Sequence, residues 1–257
     1  MATTIAVAGK GGVGKTTLTG FVIRYLAEKK QTPILAVDAD ANSNLNEVLG
    51  VEVDTTLGEL REVVERADEK KDSPIPPSMS RAEYLEAMFN RCLTEDDDFD
   101  LLVMGRTQGK GCYCFVNGLL QTQVQKLTPN YRYVVVDNEA GMEHISRGIL
   151  PKIDYLILVS DASRRGVQAA GRIRDLAQEV GLTPKKQGLI INRAPGGVLN
   201  EGTLEEVRAQ GLVLLGVIPQ NEDVYEYDCN GKPTVELPED SPVRQGVYRV
   251  LDEMLEL

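Results

Sequence analysis

Thr3-Thr4-Ile5-Ala6-Val7-Ala8-Gly9-Lys10-Gly11-Gly12-Val13-Gly14-Lys15-Thr16-Thr17 decides how this chain is read. Gly9 to Thr16 satisfies G-x-x-x-x-G-K-[ST]. An apolar run precedes it, and a helix-periodic segment from Thr17 to Lys29 follows. Strand, glycine-rich turn and helix in that order make a phosphate cradle. The glycines let the backbone around Gly11, Gly12, Val13 and Gly14 turn so that successive N–H groups point inward at phosphate oxygens. The helix N-terminus adds its partial positive charge. In such a cradle Lys15 reaches the β- and γ-phosphates, the Thr16 hydroxyl sits on Mg²⁺, and Thr17 opens the helix beside them.

Working outward, further apolar, β-branched runs read as buried strands: 33–37, 101–104, 131–136, 155–159, 188–191 and 213–217. They lack polar alternation, which suits a parallel sheet covered on both faces. Helical patterns at 115–126, 165–180 and 201–209 lie between them. The expected fold is α/β: a doubly wound, mainly parallel sheet flanked by helices, in which ligands gather at the carboxyl ends of the strands. Residues 57–100 break the rhythm with dense charge and Pro74-Ile75-Pro76-Pro77, and read as a charged helical insertion with a linker. No internal repeat is evident, so one domain over 1–257 is the simplest account.

Two strand ends carry carboxylates. Asp38-Ala39-Asp40 closes the second strand, where a carboxylate can hold a Mg²⁺ water shell, orient an attacking water, or cap a helix starting near Asn42. Asp137 follows Tyr133-Val134-Val135-Val136, and Gly141 stands four residues on, giving D-x-x-x-G. Such a glycine can offer its N–H to a γ-phosphate and pivot a switch. His144, the chain's one histidine, lies in this stretch and reads as a hydrogen-bonded structural residue. No N-K-x-D element for guanine occurs, so ATP and ADP are favoured over GTP.

Gly111-Cys112-Tyr113-Cys114 places two thiols at i and i+2, near enough to hold one soft metal ion. Cys114 stands at a helix N-terminus, where the dipole favours the thiolate. Two sulfurs do not complete a thiolate site, but a two-fold homodimer doubles them to four. That is enough for tetrahedral Zn²⁺, a distorted Ni²⁺ site or an iron–sulfur cluster. Cys92 and Cys229 match no motif and are expected to be buried structural thiols.

Gly9-Lys10-Gly11-Gly12-Val13-Gly14-Lys15-Thr16 resembles the deviant phosphate loop shared by nitrogenase iron protein, the cell-division and chromosome-partitioning ATPases and metal-cluster assembly ATPases. The resemblance implies that Lys10 reaches a partner subunit's nucleotide, in the manner of an arginine finger. It also implies that Asp38 supports Mg²⁺, that Asp40 orients the hydrolytic water, and that Asn192, followed by Arg193, reads the adenine edge. Gly216-Val217-Ile218-Pro219 then flanks the purine. With Cys112, Cys114 and the stretch from Asp137 to His144, the whole chain resembles the nickel-inserting accessory ATPases of carbon monoxide dehydrogenase and acetyl-CoA synthase. That implies ATP-dependent delivery of Ni²⁺, with Zn²⁺ a substitute, from Cys112 and Cys114 across a homodimer promoted by ATP or metal. The implied client is one of those two enzymes.

Composition trims the alternatives. Lys+Arg number 28 against 39 Asp+Glu, a net charge of −11, which favours neither nucleic acid nor an anionic membrane. Arg164, Arg165, Arg172 and Arg174 are a local exception and read as a solvated helix face. The N-terminus enters a strand at once, leaving no room for a signal peptide, so the expected compartment is the cytoplasm. Three rivals stand: an iron–sulfur electron-transfer ATPase, a scaffold that loads iron–sulfur clusters, and a positioning ATPase that binds membrane or DNA. Against the membrane form, Val247 to Leu257 carries Asp252, Glu253 and Glu256 beside a single Arg249.

Overall fold

The strand runs associate into one sheet of order β3-β4-β2-β5-β1-β6-β7-β8 in the computed structural model, which describes residues 2–60, 62, 75–106, 113–140 and 152–257. The strands are β1 (Thr3–Gly9), β2 (Ile34–Asp38), β3 (Leu93–Glu95), β4 (Phe99–Val103), β5 (Tyr133–Asp137), β6 (Tyr155–Ser160), β7 (Lys186–Ala194) and β8 (Leu214–Pro219). All pairings are parallel except β3 with β4. The short antiparallel β3 goes beyond the expected strands, and β4 begins at Phe99, inside the stretch read as an insertion.

Side chains alternate across the sheet. Ile5, Val7, Ile34, Ala36 and Val135 enter one core, while Ala6, Ala8, Leu35, Val37, Val134 and Val136 enter the other. Two apolar faces explain why these strands read as unbroken apolar runs. On the first face lie helices α1 (Lys15–Glu28) and, from the chain's end, Pro242–Leu255. Leu18, Phe21, Ile23, Tyr25 and Leu26 of α1 are fully buried; each such side chain stabilises by about 1.5–3 kcal/mol. The short α2 (Leu45–Leu49) lies close over α1, since a Cβ on Gly20 would stand 2.3 Å from Val48 Cγ1.

Helices α3 (Arg81–Asn90), α4 (Tyr113–Leu127), α5 (Arg164–Glu179) and α6 (Glu201–Ala209) follow in chain order, then α7 (Glu222–Cys229) and α8 (Pro242–Leu255). The last two stand beyond those the spacing marks. α5 and α6 cover the second face through Val167, Ala170, Ile173 and Val207. The arginine face of α5 is partly tied down: Arg164 pairs with Glu206 at 2.8 Å, and Arg174 donates to Gln210 O at 2.6 Å. Arg165 and Arg172 are exposed, as a solvated face requires.

Asp154, at the amino end of β6, is 1% exposed and accepts from Thr4 N at 3.0 Å, with Lys152 and Lys185 at 2.8 and 3.0 Å. Burial pushes its carboxyl up, but these partners outweigh burial and hold it below the usual range. α8 is fastened to α1 by Arg244, which donates to Leu237 O at 2.9 Å and to Glu28 at 2.8 Å.

Candidate functional site

β1 lies between β5 and β6 at the centre of the sheet, so the loop after Gly9 opens where the strand order diverges. A Cβ on Gly9 would meet Val159 O at 2.3 Å, and only glycine lets the two backbones run this close. Gly12 and Gly14 are left-handed, at φ 77° and 88°, and Gly14 is the N-cap of α1. The loop's N–H groups and the start of a 14-residue helix thus surround one point. Lys15 is 7% exposed and folds back over the loop, its Nζ 3.4 Å from Lys10 O. Lys10 itself is exposed, open to a second chain.

Two carboxylates underlie the loop. Asp38 and Asp137 are register partners on adjacent strands, 0% and 1% exposed. Burial pushes Asp38 up to about 7, reinforced by the neighbouring Asp137. Asp137 is pushed up to about 6, again by burial, against the pull of Thr16, Lys15 and Thr19. Thr19 Oγ1 donates to Asp137 at 3.1 Å, and Thr16 hydrogen-bonds the same carboxylate. A hydroxyl above two desolvated carboxylates is a hard oxygen donor set that fits Mg²⁺. Among the described residues no group of three or more His, Cys, Asp or Glu forms a metal cage. Mg²⁺ needs none when substrate phosphates and water complete its shell.

The sequence left open which aspartate caps a helix, and the structure divides the work. Asp38 accepts from Asp40 N and from Leu45 N, each at 3.0 Å, and so satisfies the start of α2. That helix begins at Leu45, later than the expected Asn42. Asp40 is half-buried and faces the cavity, where it accepts from Asn42 N at 2.8 Å.

The far wall comes from β7 and β8. Asn192 Nδ2 donates to Val13 O at 2.9 Å, and Arg193 Nη1 to Gly12 O at 3.1 Å. Part of the Asn192 amide therefore locks the phosphate loop; an amide's second N–H and its oxygen leave capacity for a purine edge. Arg193 is left-handed at φ 54°, where the β7–β8 register shifts.

A cavity of about 690 Å³ joins Gly11, Gly12, Gly14, Lys15, Thr16, Thr17 and Asp40 to Asn192, Arg193 and Pro219. Val13, Asp38 and Asp137 are buried; Asp137 bonds Thr16 and Thr19 behind the phosphate loop, and Asp38 holds the segment from Asp40 to Leu45. Sequence reasoning missed Asn42, Tyr225, Asp228 and Lys232, which also line the cavity. The Gly231 turn before Lys232 was the one local signal.

Cys112, Gly141 and His144 lie outside the described residues. Cys114 falls in the first turn of α4, which starts at Tyr113, two residues before the expected Phe115. Cys92 is buried as expected; burial foremost pushes its thiol up to about 12. Cys229 corrects the expectation of a buried thiol, since it is exposed. It ends α7, which turns Val224 and Tyr227 to the core and leaves Cys229 on the outer side with exposed Tyr225.

Comparison with known proteins agrees with this geometry. Residues 4–235 match the CobQ/CobB/MinD/ParA nucleotide binding domain. An uncharacterized ATP-binding protein of Methanocaldococcus jannaschii is 41% identical over 98% of both chains. The carbon monoxide dehydrogenase accessory protein CooC of Rhodospirillum rubrum is 30% identical over 74% of this chain and 79% of its own. The fold is similar to the cell division ATPase MinD of Pyrococcus furiosus, with a TM-score of 0.71 at 22% identity over 100% of this chain and 99% of that one. The chain belongs to the CobQ/CobB/MinD/ParA nucleotide-binding family and is a phosphate-loop ATPase of that class.

Proposed function

We propose that this ATPase is a homodimeric metallochaperone. It would bind Ni²⁺ through Cys112 and Cys114 of two subunits and couple ATP hydrolysis to insertion into carbon monoxide dehydrogenase or acetyl-CoA synthase. The observation that carries the reading is the 30% identity to CooC over 74% of the chain, taken with a Cys-x-Cys pair in this sequence. Zn²⁺ would occupy the same thiolates.

In hydrolysis, Lys15 and the loop N–H groups hold the β- and γ-phosphates, and Asp40 orients the water. Thr16 would ligate Mg²⁺, with Asp38 and Asp137 supporting its water shell; the ion, when bound, neutralises phosphate charge. The MinD of Pyrococcus horikoshii, 21% identical, is described as complexed with Mg-ADP, which supports the assignment. The water oxygen bonds to the γ-phosphorus as the bond from that phosphorus to the β–γ bridging oxygen breaks. ADP leaves, and the water's proton ends on the released phosphate. Lys10 of the partner subunit would add positive charge in trans, and Gly141 would report the γ-phosphate to its switch. Thiolate spacing would follow the switches, so ATP must alter metal affinity as much as metal alters ATP affinity.

The test is an anaerobic Ni²⁺ titration of metal-free protein in apo, ADP and non-hydrolysable-ATP states, following charge-transfer absorbance and mass. One ion per dimer, lost in Cys112→Ser or Cys114→Ser, supports the reading. Binding that survives loss of both thiols, or equal affinity in all three states, sinks it.

A second reading, a positioning ATPase, draws on the MinD relatives, such as that of Bacillus subtilis at 26% identity over 89% of this chain. Sedimentation with anionic vesicles and with duplex DNA separates the two. The acidic balance of the chain, with a net charge of −11, favours a protein that pellets with neither.

A further inference from the structure

Asp40 stands on a short loop between β2 and α2, and a carboxylate that aims a water needs its own orientation fixed. The loop's ordinary turn supplies one contact, from Asn42 N to Asp40 Oδ1 at 2.8 Å. The structure adds a second to the same oxygen, from Asn42 Nδ2 at 3.1 Å. The Asn42 amide is held in turn, because its Oδ1 accepts from Arg106 Nη2. An adjacent link runs in parallel. Ser43 Oγ donates to the Asp40 carbonyl at 3.0 Å and accepts from Gly105 N at 3.1 Å. Two successive residues of this loop thus grip Asp40, and each is held by one of two successive residues beyond β4.

The backbone is shaped for these contacts. Ser43 is left-handed at φ 45° without being glycine, a conformation that persists where neighbours impose it. Gly105, at φ 68°, lies against Thr56, and a Cβ there would stand 2.4 Å from Thr56 Oγ1. Met104 N donates to Asp38 O at 2.9 Å, so the grip continues from the pairing of β4 with β2. A turn needs only the backbone contact to Asp40. The amide contact and the guanidinium behind it serve the carboxylate's direction, and the positive charge strengthens the amide as a donor.

We infer that Asn42 and Arg106 are positioning residues for ATP hydrolysis: Arg106 orients the Asn42 amide, which fixes the Asp40 carboxylate in the direction that aims the attacking water. The inference rests on the reading of Asp40 as the water-orienting residue. Asn42 and Arg106 are exposed, so their replacement leaves the core untouched.

The test measures steady-state ATP hydrolysis, affinity for a fluorescent ADP analogue and urea midpoint for Asn42→Ala, Arg106→Ala, Arg106→Lys and Asp40→Asn. The expected result is a fall in kcat of about ten- to a hundredfold in the two alanine variants, as loss of alignment predicts. KM, ADP affinity and midpoint should stay within about twofold. Arg106→Lys, which keeps a cationic donor, should recover most of the rate. Asn42→Ala combined with Arg106→Ala should be no slower than Asn42→Ala alone. If Asp40→Asn is slow but both alanine variants turn over normally, the positioning role is overturned and the reading of Asp40 stands. If Asp40→Asn itself turns over normally, that reading falls and the positioning role falls with it. A loss in Arg106→Ala that lysine does not restore, or one confined to KM, also overturns the proposal.

Discussion

Gly14→Ala measures how firmly β7 holds the phosphate loop. The residue is left-handed at φ 88°, and a Cβ there would stand 2.4 Å from Asn192 Nδ2. Holding alanine in that conformation costs about 1–2 kcal/mol. The new methyl also drives the Asn192 amide off Val13 O, now 2.9 Å away, and losing that hydrogen bond costs about 0.5–1.5 kcal/mol more. The expected destabilisation is therefore about 1.5–3.5 kcal/mol. Gly12→Ala is the internal control, because Gly12 is also left-handed, at φ 77°, but has nothing within 4 Å of its would-be Cβ. It should cost only the backbone share, about 1–2 kcal/mol. Urea unfolding followed by circular dichroism reads both, with the midpoint moving and the slope constant. The double variant Gly14→Ala, Asn192→Ala removes the amide that the methyl meets. It should be less destabilised than the sum of the single variants by about 0.5–1.5 kcal/mol. Equal losses in Gly12→Ala and Gly14→Ala, with additive behaviour in the double variant, would refute the lock between Asn192 and the loop.

Asp154→Asn removes a buried charged acceptor while its lysine partners stay solvated, so the loss at neutral pH should be about 1.5–3 kcal/mol in chemical denaturation. Because the folded carboxyl lies below its ordinary value, its contribution is full above the unfolded pKa of about 4. It disappears as pH falls through the folded value, so the gap between wild type and variant should close on acidification. A gap that widens below pH 4 would contradict the assignment. In a Cys112→Ser, Cys114→Ser background, iodoacetamide at pH 8 should label Cys229 in the native state and Cys92 only after denaturation. Mass spectrometry of the peptides decides, and native labelling of Cys92 would show that its burial is wrong. Arg244→Ala removes the donor to the Leu237 carbonyl and one of the three donors to Glu28, which keeps Arg24 and Tyr248, and should lower stability by about 1.5–3 kcal/mol. ADP affinity should stay unchanged, because Arg244 lies outside the cavity wall.

Much of the site was legible because its signal is local. The helix after the phosphate loop, expected from Thr17 and found from Lys15, and the carboxylates closing β2 and β5 each follow from a few consecutive residues, whose period and glycines set the backbone. Asn192, Arg193 and Pro219 were legible only through the resemblance, and their contacts emerge only in the folded chain. The hydrogen bond from Asn192 to Val13 spans 179 positions, and nothing local to either residue encodes it. The helix lining the cavity at Tyr225 and Asp228 has no fully buried residue and rests on the core through Val224 and Tyr227, too short a pattern to read as a hydrophobic period. Cys229 falls on the opposite side of that helix, with exposed Tyr225, and so stands in solvent against expectation.

Local sequence sufficed for the elements: strand, phosphate loop and helix at 3–29, the carboxylates at strand ends, and a sheet apolar on both faces. Those follow from backbone sterics and from the side-chain periods of two in strands and 3.6 in helices, which act over neighbours. Long-range packing is what makes Asp38 cap α2, Asn192 lock the loop and Arg106 stand behind Asn42 and Asp40. Each of these depends on strand order, which sets β2 between β4 and β5 and puts β7 two strands from β1. Strand order is chosen by how whole faces pack, and no short stretch of sequence carries that sum.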